Sequence, residues 1–110
     1  MEAKTLREIC ASTGASRRAV QGYEKAGLVS PTGKNKYGYL LYDNRVEERI
    51  GQIRFYQQLG FSVREITGVI DAANPVKRAA LQAQILKLEK ERENLDNLIR
   101  RATELLDSLV

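Results

Sequence analysis

The chain has 110 residues, which allows one compact domain with a small core and one appended element. Its single cysteine and its lack of histidine exclude a disulfide framework and a thiolate–imidazole metal site within one chain, so we expect neither a metal nor a cofactor. No apolar run approaches the ~18–20 residues of a membrane span, and the charged N-terminus lacks a signal-peptide core, so we expect a cytoplasmic protein.

The positive charge is concentrated in one segment. Lysine and arginine number 18 against 14 acidic residues, a net charge of +4. Residues 71–110 are balanced, whereas within residues 16–42 only Glu24 opposes the basic side chains Arg17, Arg18, Lys25, Lys34 and Lys36. Such a cluster predicts a salt-dependent affinity for nucleic-acid phosphates. The alternative is an ordinary solvated face.

The first two predicted helices form a helix-turn-helix. Thr5-Leu6-Arg7-Glu8 fits a capping box, and the helix it opens has Leu6, Ile9 and Cys10 on one face until residues 12–14 end it. Ser16 caps a second helix from Arg17 to about Ala26, and Gly27 ends it. The inner face of the second helix is predicted to comprise Ala19, Val20 and Tyr23.

The outer face of the second helix carries the candidate DNA contacts. Arginine can bind guanine bidentately and glutamine can bind adenine, and either can instead hold a phosphate. The N-terminus of such a helix is the part that addresses base edges in the major groove. Candidates on the outer face are Ser16, Arg17, Arg18, Gln21 and Lys25. Tyr23 is a further candidate on this helix, although its spacing places it on the inner face.

The next segment predicts a wing, a hairpin beside the recognition helix. Pro31, Gly33 and Gly38 mark turns, and residues 39–42 have the aromatic and apolar content of a short strand. Tyrosines here could stack on sugars or bind phosphates, and we expect at least one of them to be buried instead. The wing candidates are Lys34, Lys36, Tyr37, Tyr39 and Tyr42.

Two further helices are predicted between the wing and residue 74. Asn44 is expected to cap a helix from Arg45 to Leu59, ended by Gly60. Ser62-Val63-Arg64-Glu65 fits a second capping box and opens a helix through about Ala73. Asn74-Pro75 then marks a boundary, because proline favours a helix start and disfavours helix at the residue before it.

The last segment predicts a dimerisation helix. Its apolar residues follow heptad spacing, interrupted by one arginine: Leu81, Ile85, Leu88, Arg92, Leu95, Ile99, Ala102, Leu106 and Leu109. A charged helix with such a stripe cannot bury it on a small head alone and needs a partner. We therefore expect residues 1–74 to form a DNA-binding domain and residues 75–110 a coiled-coil dimerisation helix.

Three segments resemble, in order, the MerR family of bacterial transcription regulators. The run TLREICASTGASRRAVQGYEKAGLV is similar to the family's helix-turn-helix, GYLLY to its wing and IRFYQQLGFSVREI to the helix pair that follows. The resemblance covers residues 4–73, and the long helix corresponds to the family's dimerisation helix. It implies a mainly α fold, in which a winged helix-turn-helix head precedes a long C-terminal helix that forms an antiparallel coiled-coil dimer.

The resemblance also implies a function. Family members bind double-stranded DNA as homodimers at pseudo-palindromic promoter sites and distort the spacer. Two motifs depart from the family pattern: Gln21-Gly22-Tyr23-Glu24 replaces Arg-Tyr-Tyr-Glu, and Gly38-Tyr39-Leu40 replaces Gly-Tyr-Arg. The second change loses an expected phosphate anchor, for which Lys34 and Lys36 are candidate substitutes.

No effector site is visible, because the chain lacks both the metal-binding cysteines and the further ligand domain of sensing members. It is either an excerpt of a longer protein or a short member regulated by concentration, a partner protein or a heterodimer. Two other functions stay open: an architectural factor of excisionase type that bends DNA, and a protein-interaction module acting through the long helix. An enzyme is not expected, because the sequence offers no nucleophile–base arrangement.

Overall fold

A computed structural model of the chain describes residues 3–110. Helices make up most of it, and the chain divides into two compact units, one ending at Ala72 and one comprising Ala73–Val110. The strands are β1 (Lys4–Thr5), β2 (Gly33–Lys34) and β3 (Leu40–Tyr42). The helices are α1 (Leu6–Thr13), α2 (Arg17–Lys25), α3 (Asn44–Leu59), α4 (Val63–Val69) and α5 (Asn74–Ser108).

Both predicted capping boxes are present. The Thr5 hydroxyl accepts from the Glu8 N–H while the Glu8 carboxylate accepts from the Thr5 N–H at 2.9 Å. Ser62 and Glu65 make the same reciprocal pair at the start of α4, with distances of 3.1 and 3.0 Å. These bonds satisfy N–H groups that have no partner inside the helix, which explains why α1 and α4 begin where the sequence indicates.

Two predicted helix boundaries are wrong. The residue that caps α3 is Asp43, whose Oδ1 accepts from the Val46 N–H at 3.0 Å, and Asn44 is already helical. An N-cap side chain must reach the amide two or three residues on, and the adjacent carboxylate does so here. Helix α4 ends at Val69, four residues before the predicted Ala73.

The sheet contains a strand that the sequence did not predict. Its order is β1-β3-β2 and both pairings are antiparallel. The predicted hairpin forms between β2 and β3, with Lys34 opposite Leu40. The extra strand, β1, places Lys4 opposite Tyr42. The residues immediately before α1 therefore fix the inner edge of the wing.

The core of the first unit is aliphatic. Ile9, Val20, Ile50, Ile53 and Ile66 have no solvent exposure, and they come from four helices. Burying each such side chain contributes about 1.5–3 kcal/mol, which makes these positions the main source of stability in a small domain. Of the other predicted inward residues, Tyr23 is buried whereas Leu6, Cys10 and Ala19 are half-buried.

Polar contacts connect the helices around this core. Arg54 donates from Nη1 to the Thr13 carbonyl, and a Cβ at Gly14 would lie 2.6 Å from that nitrogen. Gly14 also has a φ of 76°, so this turn requires glycine. Glu47 accepts from Lys4 Nζ and from the Ser12 hydroxyl, and these bonds hold the pKa of its carboxyl below the ordinary 4.5.

The second unit is essentially one helix. Helix α5 has 35 residues, about 50 Å of length, with Pro75 in its first turn. It has no buried side chain. Within the predicted seam Leu81 and Leu88 are half-buried in the single chain, and the remaining seven positions are exposed: Ile85, Arg92, Leu95, Ile99, Ala102, Leu106 and Leu109. Leu98 and Leu105, outside the heptad seam, are exposed as well and widen the stripe toward the C-terminal end.

Candidate nucleic-acid interface

Helix α2 presents a polar outer face. Ser16 caps it by accepting from the Ala19 N–H at 3.0 Å, while Val20 and Tyr23 point into the core. The predicted contact residues on its other side are all exposed: Ser16, Arg17, Arg18, Gln21 and Lys25. Gly22 lies on this side too, and a Cβ there would meet nothing within 4 Å. Neither crowding nor a left-handed backbone therefore accounts for a glycine at this point of the helix.

The tip of the wing is organised by one asparagine that the sequence analysis missed. The Asn35 Oδ1 accepts from the N–H groups of Tyr37 and Tyr39, at 2.9 and 3.1 Å. Its carbonyl accepts from the N–H of Gly38, which has a φ of 84°. The signal was available, because asparagine side chains commonly bond the backbone two residues on in turns.

The side chains at that tip are free to contact a ligand. Tyr37 is 73% exposed and Tyr39 is 65% exposed. Lys36 Nζ lies 5.1 Å from the centre of the Tyr37 ring, a cation–π distance, and Lys34 on β2 is exposed. Two aromatic rings and two ammonium groups are therefore presented to solvent within one short hairpin.

Tyr23 and Tyr42 belong to the interior, which confirms the predicted inner face for Tyr23 and the expected burial of one wing tyrosine, and contradicts their choice as candidate DNA contacts. They are 2% and 1% exposed, so neither ring is available for stacking on a nucleic acid. The Tyr23 hydroxyl donates to Gln57 Oε1 at 2.6 Å, and the Tyr42 hydroxyl donates to Glu24 Oε1 at 2.5 Å. Each tyrosine has the apolar body and polar tip that suit a buried position with one partner.

These two phenols keep their protons at neutral pH. Burial raises the pKa of Tyr23, and the positive charge of Arg54 offsets part of that rise. Burial also raises the pKa of Tyr42 far above 10.0, and the hydrogen bond to the Glu24 carboxylate raises it further. Both hydroxyls are consequently fixed donors.

Glu24 acts as a positioning residue. In the sequence it stands out only as the single acidic side chain among the basic ones of residues 16–42. In the structure its carboxylate receives the Tyr42 hydroxyl and so connects α2 directly to β3. The wing and the outer face of α2 are thereby held in a defined relation.

A second positioning contact involves the segment that follows α2. Arg49 on α3 donates both terminal nitrogens to Asp71 at 2.6 Å and its Nε to the Leu28 carbonyl at 3.1 Å. This planar, bidentate arrangement connects the segment that follows α2 with the segment that follows α4.

Among residues 3–110 there is no cluster of three histidine, cysteine or acidic side chains able to hold a metal ion. No helix in that range is long and apolar enough to cross a membrane.

The winged architecture has known counterparts. Residues 4–73 match the family described as MerR HTH family regulatory protein, and residues 47–110 match a second family described as MerR, DNA binding. The chain belongs to the MerR family. Membership accounts for the whole arrangement, from the helix-turn-helix through the wing to the long C-terminal helix.

Individual MerR-family proteins can be compared with this one. It is 32% identical over 95 residues to the HTH-type transcriptional activator mta of Bacillus subtilis, an alignment covering 86% of this chain but only 37% of mta. It is 28% identical over 103 residues to the mercuric resistance operon regulatory protein of Bacillus cereus, covering 91% of this chain and 78% of that protein. The chain thus spans little more than a third of the length of mta.

A solved structure of the N-terminal part of the same B. subtilis activator, a multidrug transporter activator, has a similar fold. Its TM-score is 0.71 at 30% identity, and the superposition covers 94% of this chain and 97% of the other. The MerR family is one of transcriptional regulators. The DNA-binding role of the exposed residues on α2 and the wing remains a prediction.

Proposed function

We propose that this chain is a sequence-specific transcriptional regulator that acts in the bacterial cytoplasm and has no catalytic role. Residues 1–74 would bind DNA and residues 75–110 would dimerise. One observation carries the proposal. Arg17 of α2 and Tyr39 of the wing line the same cleft, so the start of the helix and the hairpin lie side by side, with Arg18 exposed next to them. A helix and a basic wing so placed suit a major groove and its flanking backbone.

The α5 stripe supports action as a homodimer. Leu95 is 59% exposed and Ile99 is 63% exposed in the single chain, at adjoining seam positions. A second copy of the helix would cover such residues along four heptads, and the gain would scale with the apolar area removed from water. A two-fold symmetric dimer would place two recognition helices on a pseudo-palindromic promoter site and distort the spacer between them.

We predict that alanine substitutions of base-reading and of phosphate-binding residues weaken DNA binding in different ways. Arg18→Ala should cost about 1–3 kcal/mol on the preferred site and relax the preference at one base pair. Lys34→Ala or Lys36→Ala should weaken binding to all duplexes similarly and lower the salt slope by about one. Binding isotherms over a salt series, on a duplex selected from a random library and on its scrambled form, measure both effects.

Arg101→Ala on α5 is the matched control, because it removes an exposed guanidinium from outside the head. It should bind as the parent does. If the three variants of α2 and the wing also match the parent on the selected duplex, this face does not bind DNA. Footprinting on natural DNA separates the alternatives: a palindrome between promoter elements indicates regulation, and clustered direct repeats at an element end indicate an excisionase-type factor.

Arg92 is predicted to set the register of the dimer rather than its stability. Its side chain is largely exposed, and Nη2 lies 3.9 Å from Glu89 on the same helix. An exposed pair of this kind contributes less than about 1 kcal/mol. Arg92→Leu should therefore keep or raise the melting temperature at fixed protein concentration, since leucine extends the seam. A marked fall in thermal unfolding experiments would show instead that the charge stabilises the protein.

A further inference from the structure

An open cleft of about 560 Å³ lies where the beginnings of α1 and α2 meet the wing. Leu6 and Arg7 line it from α1, Arg17 from α2, and Gly38, Tyr39 and Leu40 from the hairpin. Arg7 is far from the basic cluster in the sequence, and nothing in the chain's local pattern singled it out. The fold alone brings it beside the candidate DNA-contacting residues.

The charges in this cleft are not balanced by any of residues 3–110. Arg7 and Arg17 are both exposed, and neither forms an ion pair or hydrogen bond with any of residues 3–110. The nearest acidic residue in the sequence, Glu8, has its carboxylate engaged by the N–H and hydroxyl of Thr5, at 2.9 and 3.1 Å. No acidic side chain among residues 3–110 lines the cleft. Two arginines that line one concave site, with no counter-charge among the described residues, favour an anion there.

We propose that Arg7 and Arg17 together bind one phosphate of the DNA backbone in this cleft, beside the ring of Tyr39. The proposal rests on the DNA-binding function proposed above and assigns one of its contacts. Guanidinium groups match phosphate oxygens bidentately, and backbone contacts of this kind fix the register of a helix in the groove.

Arg17 and Arg18, although neighbours in the sequence, have different roles in this proposal. Arg18 follows Arg17 by one residue, which turns its side chain by about 100° around the helix, and it does not line the cleft. Arg17 therefore belongs with the backbone contacts and Arg18 with the groove. The sequence alone does not distinguish the two residues.

The test compares Arg7→Ala, Arg7→Lys and the control Arg101→Ala in the full chain, using the selected and scrambled duplexes. Arg7→Ala should bind both duplexes roughly five- to tenfold more weakly at low salt and reduce the salt slope by about one. Arg7→Lys should restore the slope and part of the affinity, because it keeps the charge but loses the bidentate fork. Thermal unfolding should be unchanged, because the Arg7 side chain is exposed and forms no hydrogen bond or ion pair with any of residues 3–110.

Neutral methylphosphonate substitutions, introduced one at a time along the selected duplex, locate the phosphate. One substitution should weaken the parent but leave Arg7→Ala and Arg17→Ala unaffected, since both variants have already lost that contact. If the parent binds no duplex at any salt, the proposed function itself is wrong. If the parent binds and Arg7→Ala matches it in affinity and slope, only the phosphate site is wrong. A loss confined to the selected duplex would make Arg7 a base-reading residue and would overturn the site.

Discussion

The double substitution Leu95→Asp and Ile99→Asp is expected to convert the protein to a monomer and to abolish tight DNA binding. Both residues lie on the exposed apolar stripe of α5. In a homodimer the change buries four carboxylates, and the effective penalty is several kcal/mol for each unpaired ion. Losing one recognition helix also removes the avidity of two linked half-sites, so affinity for a palindromic duplex should fall by about a hundredfold or more.

Sedimentation at tens of micromolar protein measures the oligomeric state, and binding isotherms measure the affinity for DNA. The matched control is Asn94→Asp with Asn97→Asp, which adds the same charge at exposed positions outside the seam. It should remain dimeric. Sedimentation of the parent as a monomer would refute the dimer, and a double seam variant that stays dimeric would show that these residues are not its interface.

The largest loss of stability is expected from Ile53→Ala. Ile53 has no solvent exposure, and its helix, α3, packs against both α1 and α4. Truncation removes buried methyl groups and leaves a cavity, at a cost of about 2–5 kcal/mol. Since small domains have only about 5–15 kcal/mol of net stability, the melting temperature should fall by about 10 °C or more.

Thermal unfolding followed by circular dichroism provides the measurement, at one protein concentration because a dimer's midpoint depends on concentration. Gln52→Ala is the neighbouring control on the exposed side of α3, and it should change stability by less than about 0.5 kcal/mol. Ile53→Val should lie between the two, at about 0.5–1.5 kcal/mol. Equal midpoints for Ile53→Ala and Gln52→Ala would contradict the placement of Ile53 at the centre of the core.

Local signals predicted the helices of the head well. Capping boxes act within four residues, so both predicted ones are present at the starts of α1 and α4. Gly27 and Gly60 follow α2 and α3 with φ values of 79° and 110°, as expected of glycines that end helices. Strand β1 was missed because two residues carry no periodicity, and their pairing depends on a strand far along the chain.

The features of the interface that could not be predicted depend on long-range contacts. Helical spacing placed Tyr23 on the inner face of α2. The partners of the two buried hydroxyls could not be predicted, because Tyr23 bonds a residue 34 positions away and Tyr42 one 18 positions away. Leu40 stands where the family pattern has an arginine, and Lys34 and Lys36 are the candidate substitutes that the sequence offers. The fold adds Arg7, which lines the same cleft as Leu40. Contacts with DNA and pairing of α5 remain predictions.

The bond between Glu24 and Tyr42 limits how this head can be redesigned. Replacing α2 with the recognition helix of another regulator, to change the target sequence, would also replace the acceptor of a buried phenol. An unsatisfied hydroxyl of that kind costs about 1–3 kcal/mol and would free the hairpin from the helix. A grafted helix must therefore keep an acidic side chain at position 24, or the graft must be combined with Tyr42→Phe.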